Sequence, residues 1–142
     1  MTGIYEALSK IKNRPGMYIG KPYLSILRHF LVGYQFARSE LGIELTEEEA
    51  DFYEHFHDWV QRRFNVQTNN SWANIILLFS RDEKDAFEQF FNLLDEFKQR
   101  DKSLDGNGEK AGKSYIVVHG KIVEEIGSEE GLKSDRVSAK IN

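Results

Sequence analysis

The eight residues Trp72-Ala73-Asn74-Ile75-Ile76-Leu77-Leu78-Phe79 are apolar on every side except at Asn74. Helix or strand, such a segment has no solvent face, and a segment hydrophobic all round belongs inside a fold. Periodicity does not separate buried helix from buried strand at this length. No strand-like partner lies near it in sequence, and Asn70 or Ser71 is placed to cap a helix that Ser80 stops. A buried central helix is therefore expected, with Trp72 packed among Phe87, Phe90, Phe91 and the Phe56–Trp59 face.

The segments on either side supply the faces that bury it. Thr2 can cap a first helix whose apolar positions Ile4, Leu8 and Ile11 recur at helical spacing. That helix ends by Asn13, because Arg14-Pro15-Gly16 reads as a turn, and Met17-Tyr18-Ile19 reads as an extended link. Pro22 suits the first turn of a second helix, which runs to about Glu40 and stops at Gly42. Leu24, Leu27, Leu31 and Tyr34 mark its face; Ile26, Phe30 and Val32 widen the apolar surface, which predicts a largely buried helix. Thr46-Glu47-Glu48-Glu49 is a capping box, with Leu45 and Ala50 as a staple. The helix it opens sets Phe52, Phe56, Trp59, Val60 and Phe64 against Asp51, Glu54, Asp58 and Arg62 on the other side. Ser80-Arg81-Asp82-Glu83 is a second box, opening a helix to about Arg100 with the stripe Phe87, Phe90, Phe91, Leu94 and Phe97.

Composition breaks after this helix. Seventeen of the eighteen aromatics precede residue 101, and six of the eleven glycines follow it. Residues 1–100 are thus expected to form an all-α domain of five helices, 101–113 a loop or linker, and 114–142 a C-terminal β-hairpin with a flexible polar tail. The hairpin would pair Ser114–Val118 with Lys121–Ile126 around His119-Gly120. A lone hairpin is marginal in water, so it must dock on the helices or a partner.

The chain has no cysteine, which excludes disulfides and thiolate chemistry. It has no apolar run near the ~20 residues of a membrane helix, and Met1–Glu6 lacks a signal peptide's pattern. Cytoplasmic residence with no membrane association is expected. A net charge of −4 argues against a nucleic-acid partner, whose binding needs a basic footprint, and is compatible with a basic protein.

Four motifs invite chemistry. Gly106 to Ser114 resembles a phosphate-binding loop, but five residues separate its glycines where four are required, and it follows a helix and precedes a strand. Asp101-Lys102-Ser103-Leu104-Asp105-Gly106 matches the first half of a calcium-binding EF-hand loop, yet the position of the bidentate Glu holds Gly112. His55 and His57 sit two apart on a helix and point in nearly opposite directions, so they do not share a metal; Asp51, His55 and Asp58 converge more loosely. Arg14, beside a Pro-Gly turn, can hold a phosphate or carboxylate with Tyr18 nearby, or it can cap a helix end or pair with an acidic neighbour. No catalytic residues, metal site or cofactor are assigned.

The heptapeptide Arg14-Pro15-Gly16-Met17-Tyr18-Ile19-Gly20 resembles one near the start of the ATPase domain of type II topoisomerase B subunits. That family's next helix carries a Glu general base and a magnesium-binding Asn; Leu27 to Tyr34 holds neither, so no ATPase residue carries over. A longer resemblance adds Ser71-Trp72, Ile75-Ile76, Ser80-Arg81-Asp82-Glu83, Ala86-Phe87 and Phe90 to Phe97. Over about residues 4–100 the chain resembles a group of small bacterial proteins associated with immunity to polymorphic or contact-dependent toxins. The resemblance implies a protein-binding module that neutralises a toxin, and no enzyme. Glu47, Glu48, Asp51, Glu54 and Asp58 are the expected partner-binding surface, steering a basic toxin by complementary charge. The other reading is a small-ligand or ion-binding regulator using Arg14, Tyr18 and the loop from Asp101 to Gly106.

Overall fold

The computed structural model describes residues 3–105, 114–118 and 121–126. The described part is mainly helical. In chain order it holds α1 (Ile4–Asn13), α2 (Pro15–Tyr18), α3 (Leu24–Glu40), α4 (Glu47–Phe64), β1 (Val66–Gln67), α5 (Trp72–Leu78), α6 (Glu83–Lys98), a 3-10 turn (Lys102–Leu104), β2 (Ser114–Val118) and β3 (Lys121–Ile126).

The apolar segment is helix α5, capped by the Ser71 hydroxyl accepting from Asn74 N–H at 3.3 Å. It touches α3, α4 and α6, while α3 also packs on α6. Ala73, Ile75 and Ile76 are buried, whereas Leu77, Leu78 and Trp72 are only partly so. Phe79 lies past the helix end and surfaces, stacked on Phe64 at 4.9 Å. Around α5, Phe52, Phe56, Phe90 and Phe97 form an aromatic centre joined largely by edge-to-face contacts, the geometry that ring quadrupoles favour. Trp72 stacks on Phe90 at 5.1 Å and meets Phe56 edge-on at 5.2 Å.

Several boundaries differ from the sequence expectation. Residues 15–18 are helical, not extended, so the described residues hold six helices where five were expected. Proline's fixed φ suits a first helical position, and Arg14 (φ −139°, ψ 63°) makes the break from α1 without lengthening the chain into a link. Gly20, at φ 87°, ends the turn. Pro22 lies outside α3, which begins at Leu24 after an extended Tyr23. Nor is α3 largely buried: Leu24, Leu27, Leu31 and Arg38 are, but Val32 is 53% and Phe36 66% exposed. The residue capping α6 is Asp82, accepting from Asp85 N–H at 2.8 Å. Ser80 instead donates its hydroxyl to the Ile76 carbonyl at 2.7 Å, which moves the helix start two residues along and leaves its end at Lys98. Leu45 is exposed rather than folded under as a staple.

The expected cap of α1, Thr2, lies outside the described residues; the N-cap is Gly3, which has no side chain to offer. The carboxylate of Glu49 takes that place, accepting from Ile4 N–H at 3.3 Å across 45 residues. Glu49 is also the third residue of α4 and closes the capping box with Thr46. The two terminal guanidinium nitrogens of Arg38, Nη1 and Nη2, both donate to it. The pair is buried, Arg38 7% and Glu49 1% exposed, so α1, the C-terminal half of α3 and the start of α4 meet on one carboxylate. A Cβ on Gly3 would stand 2.9 Å from Glu49 Oε1, a close approach that explains glycine there. The same device recurs at α3, where the carboxylate of Glu83, from the start of α6, accepts from Ser25 N–H at 3.0 Å and from the Ser25 hydroxyl.

In the sheet, β1 runs parallel to β2 with Val66 opposite Tyr115, and β3 runs antiparallel to β2 with Ser114 opposite Ile126. His119-Gly120, the glycine-rich stretch 106–113 and the tail from 127 lie outside the described residues.

Candidate functional site

Helix α4 carries its phenylalanines inward and an acidic row outward. Positions 47, 51, 54 and 58 recur at helical spacing and share one face. Glu47, Glu48, Glu54 and Asp58 are exposed. Glu54 lies 3.7 Å from His55 Nε2; Glu47, Glu48 and Asp58 form no ion pair among the described residues. Glu47 and Glu48 also sit on the first turn, where the helix dipole favours negative charge, so the row is tolerated without cations to neutralise it.

Asp51 departs from this pattern. It is half-buried and held by Arg100, whose Nη2 and Nη1 donate to its two oxygens at 2.6 and 3.0 Å. The other edge of the same guanidinium donates to both oxygens of Asp105, at 3.0 Å from Nε and 2.8 Å from Nη2. Nη1 also donates to the Phe97 carbonyl at 3.0 Å. All five donors of Arg100 are thus engaged, and its face lies 3.8 Å from the Phe97 ring centre. Arg62 reaches Asp105 at 3.4 Å, and Lys102 comes within 3.9 Å of Asp51. Hydrogen bonds from Arg100 hold the Asp51 and Asp105 carboxyls below the ordinary aspartate range, against the opposing effect of burial. Burial, then Asp51 and Glu48, push the neighbouring Tyr5 hydroxyl up to about 12.

Ligand atoms of Asp51, His55 and Asp105 lie within 4.8 Å of one another, close enough to share a metal ion. The guanidinium of Arg100 already occupies both carboxylates, so an entering cation must displace a buried, fully hydrogen-bonded arginine. It is Asp105, not Asp58, that completes this group. Asp101 is likewise engaged, accepting from Ser103 N–H and hydroxyl at 3.0 and 2.7 Å and capping the 3-10 turn. Two of the carboxylates of the EF-hand-like run therefore have partners within the protein.

Arg14 and Tyr18 are exposed at the corner between α1 and α2, remote in the chain from the Asp101 turn. A shallow recess of about 500 Å³ lined by Ile19, Ser25, Ile26, His29 and Phe30 opens beside α2, but neither Arg14 nor Tyr18 lines it. A smaller one, about 190 Å³, lies between α3 and α4 over Phe52, Tyr53 and Trp72, rimmed by Arg28, Gln35 and His57.

Sequence reasoning missed the Arg100 clamp and the exposed side of α3. The first has no local signal, since Asp51 and Arg100 are 49 residues apart. The second carries one: Val32 and Phe36 fall outside the Leu24–Leu27–Leu31 stripe at helical spacing. Among the described residues no helix is long and apolar enough to cross a membrane. Comparison with family models, with curated proteins and with solved structures finds no match to this chain.

Proposed function

We propose that this chain is a cytoplasmic protein-binding module, an immunity protein that binds and neutralises a toxin domain with a basic surface. The observation that carries the reading is the outer row of α4, where Glu47, Glu48, Glu54 and Asp58 stand exposed on a rigid helix fixed by its capping box. Such a row attracts a basic partner at long range and orients it on contact, raising association rates more than contact energy. Asp51 belongs to this surface as its anchor: clamped by Arg100, it holds the adjoining turn at residues 101–105 against α4. The same reading takes β2 and β3 as a C-terminal β-hairpin docked through β1, and takes binding, not catalysis, as the chain's task.

The test is co-expression with any toxin reading frame found adjacent to the gene, followed by stopped-flow association with the purified toxin domain. Growth should be restored, and neutralising Glu47, Glu48, Glu54 and Asp58 together should slow association roughly tenfold or more at low salt and flatten its salt dependence. Toxicity that persists at equal expression counts against the immunity role. Unchanged association kinetics in the quadruple variant would remove α4 as the interface. Heat on titration with calcium, taken by the loop from Asp101 to Gly106, or with a common nucleotide, taken by Arg14 and Tyr18, would instead favour a ligand-binding regulator.

A further inference from the structure

The outward side of α3 is built as a ridge. Arg28, Val32, Phe36 and Glu40 follow at intervals of four, the spacing of one continuous row on a helix surface. Val32 is 53% and Phe36 66% exposed, two large apolar groups side by side in water. Beside them runs a second row, in which Gly33 and Ala37 are exposed and small, so the ridge borders a shallow trough. A cation stands at one end of the ridge and an anion at the other, about 18 Å apart along the axis. Neither Arg28 nor Glu40 makes an ion pair among the described residues.

This order is its own complement. Turned end for end about position 34, the ridge sets Arg28 against Glu40, Val32 against Phe36, Phe36 against Val32 and Glu40 against Arg28. A two-fold interface demands that a patch match its own reverse, and interlocking four-residue rows is the commonest way two helices pack. We propose that the protein self-associates as a two-fold dimer through α3, with each Phe36 seated in the Gly33–Ala37 trough of the other copy and Arg28–Glu40 pairs closing both ends. The α4 acidic row takes no part in this ridge, so dimerisation and toxin binding succeed or fail separately.

One helix pair is a small interface, at the low end of specific contacts, and the dimer is expected to dissociate in the micromolar range. Sedimentation velocity from about 5 to about 500 µM should show the weight-average coefficient climbing from monomer toward dimer. A protein that stays monomeric at the top of that range, or forms larger species, overturns the proposal. Phe36→Asp should weaken the dimer at least ~10-fold while leaving the circular-dichroism melt unchanged, since the side chain is outside the core. Arg28→Glu and Glu40→Arg should each weaken it, and the two together should return its affinity to within about threefold of the parent. A combined variant weaker than either single one would overturn the register.

Discussion

Glu49 is the residue on which the N-terminal half converges, and its chemistry sets an acid limit. Burial acts to raise its pKa, but hydrogen bonds from Arg38, Thr46 and Ile4 outweigh that and hold it below the ordinary glutamate value. A carboxyl depressed by folding stabilises the native state above its unfolded pKa, and that stabilisation is lost as pH falls through its folded pKa. Asp51 and Asp105 act in the same sense. The melting temperature should thus be flat from neutrality down to about pH 5 and fall from about pH 4.5 downward. Glu49→Ala leaves a buried guanidinium unpaired and strips α1 of its cap, and should destabilise by about 3–5 kcal/mol at pH 7. Its acid slope should also be shallower than the parent's. A loss under 1 kcal/mol in urea titrations would mean that Arg38 finds another partner or reaches water.

At the scale of the element, α5 is seven residues long and has little helical stability of its own. Packing on three neighbours maintains it, and Trp72 is its largest side chain. Because that indole is part-exposed over the α3–α4 recess, Trp72→Ala should cost about 3 kcal/mol, the lower end for a core aromatic. A melt within two degrees of the parent would make it a surface contact instead. The elements show which signals a sequence exposes. Ile4, Leu8 and Ile11, or Phe87, Phe90, Phe91, Leu94 and Phe97, are readable because period and burial lie within one helix. Thr46 with Glu49 is readable because a capping box spans four residues. The burial of α3 was overestimated because apolar residues on its flank do not reveal whether a neighbour exists to cover them. The acidic row of α4 is legible as surface except at Asp51, whose partner Arg100 lies two residues past the end of α6.

At the scale of the whole molecule, two kinds of helix start coexist among the five longer described helices. Helices α4, α5 and α6 carry caps within three residues of themselves, from Thr46, Ser71 and Asp82. Helices α1 and α3 have no side-chain cap of their own and borrow Glu49 and Glu83, at separations of 45 and 58 residues. This division implies an order of events in folding. A local cap exists as soon as its first turn forms, whereas a borrowed one waits until a distant part of the chain has arrived, after the entropy of closing that loop has been met. The region from α4 to α6 should therefore form the nucleus, with α1 and the start of α3 condensing onto it late. In chevron measurements Ser71→Ala and Asp82→Ala should mainly slow folding, and Glu83→Ala should mainly speed unfolding. The reverse pattern would place the nucleus at the N-terminus. A chain arranged this way keeps α1 and the start of α3 waiting as they emerge from the ribosome, committed to a structure only when the acidic residues that complete them have been made.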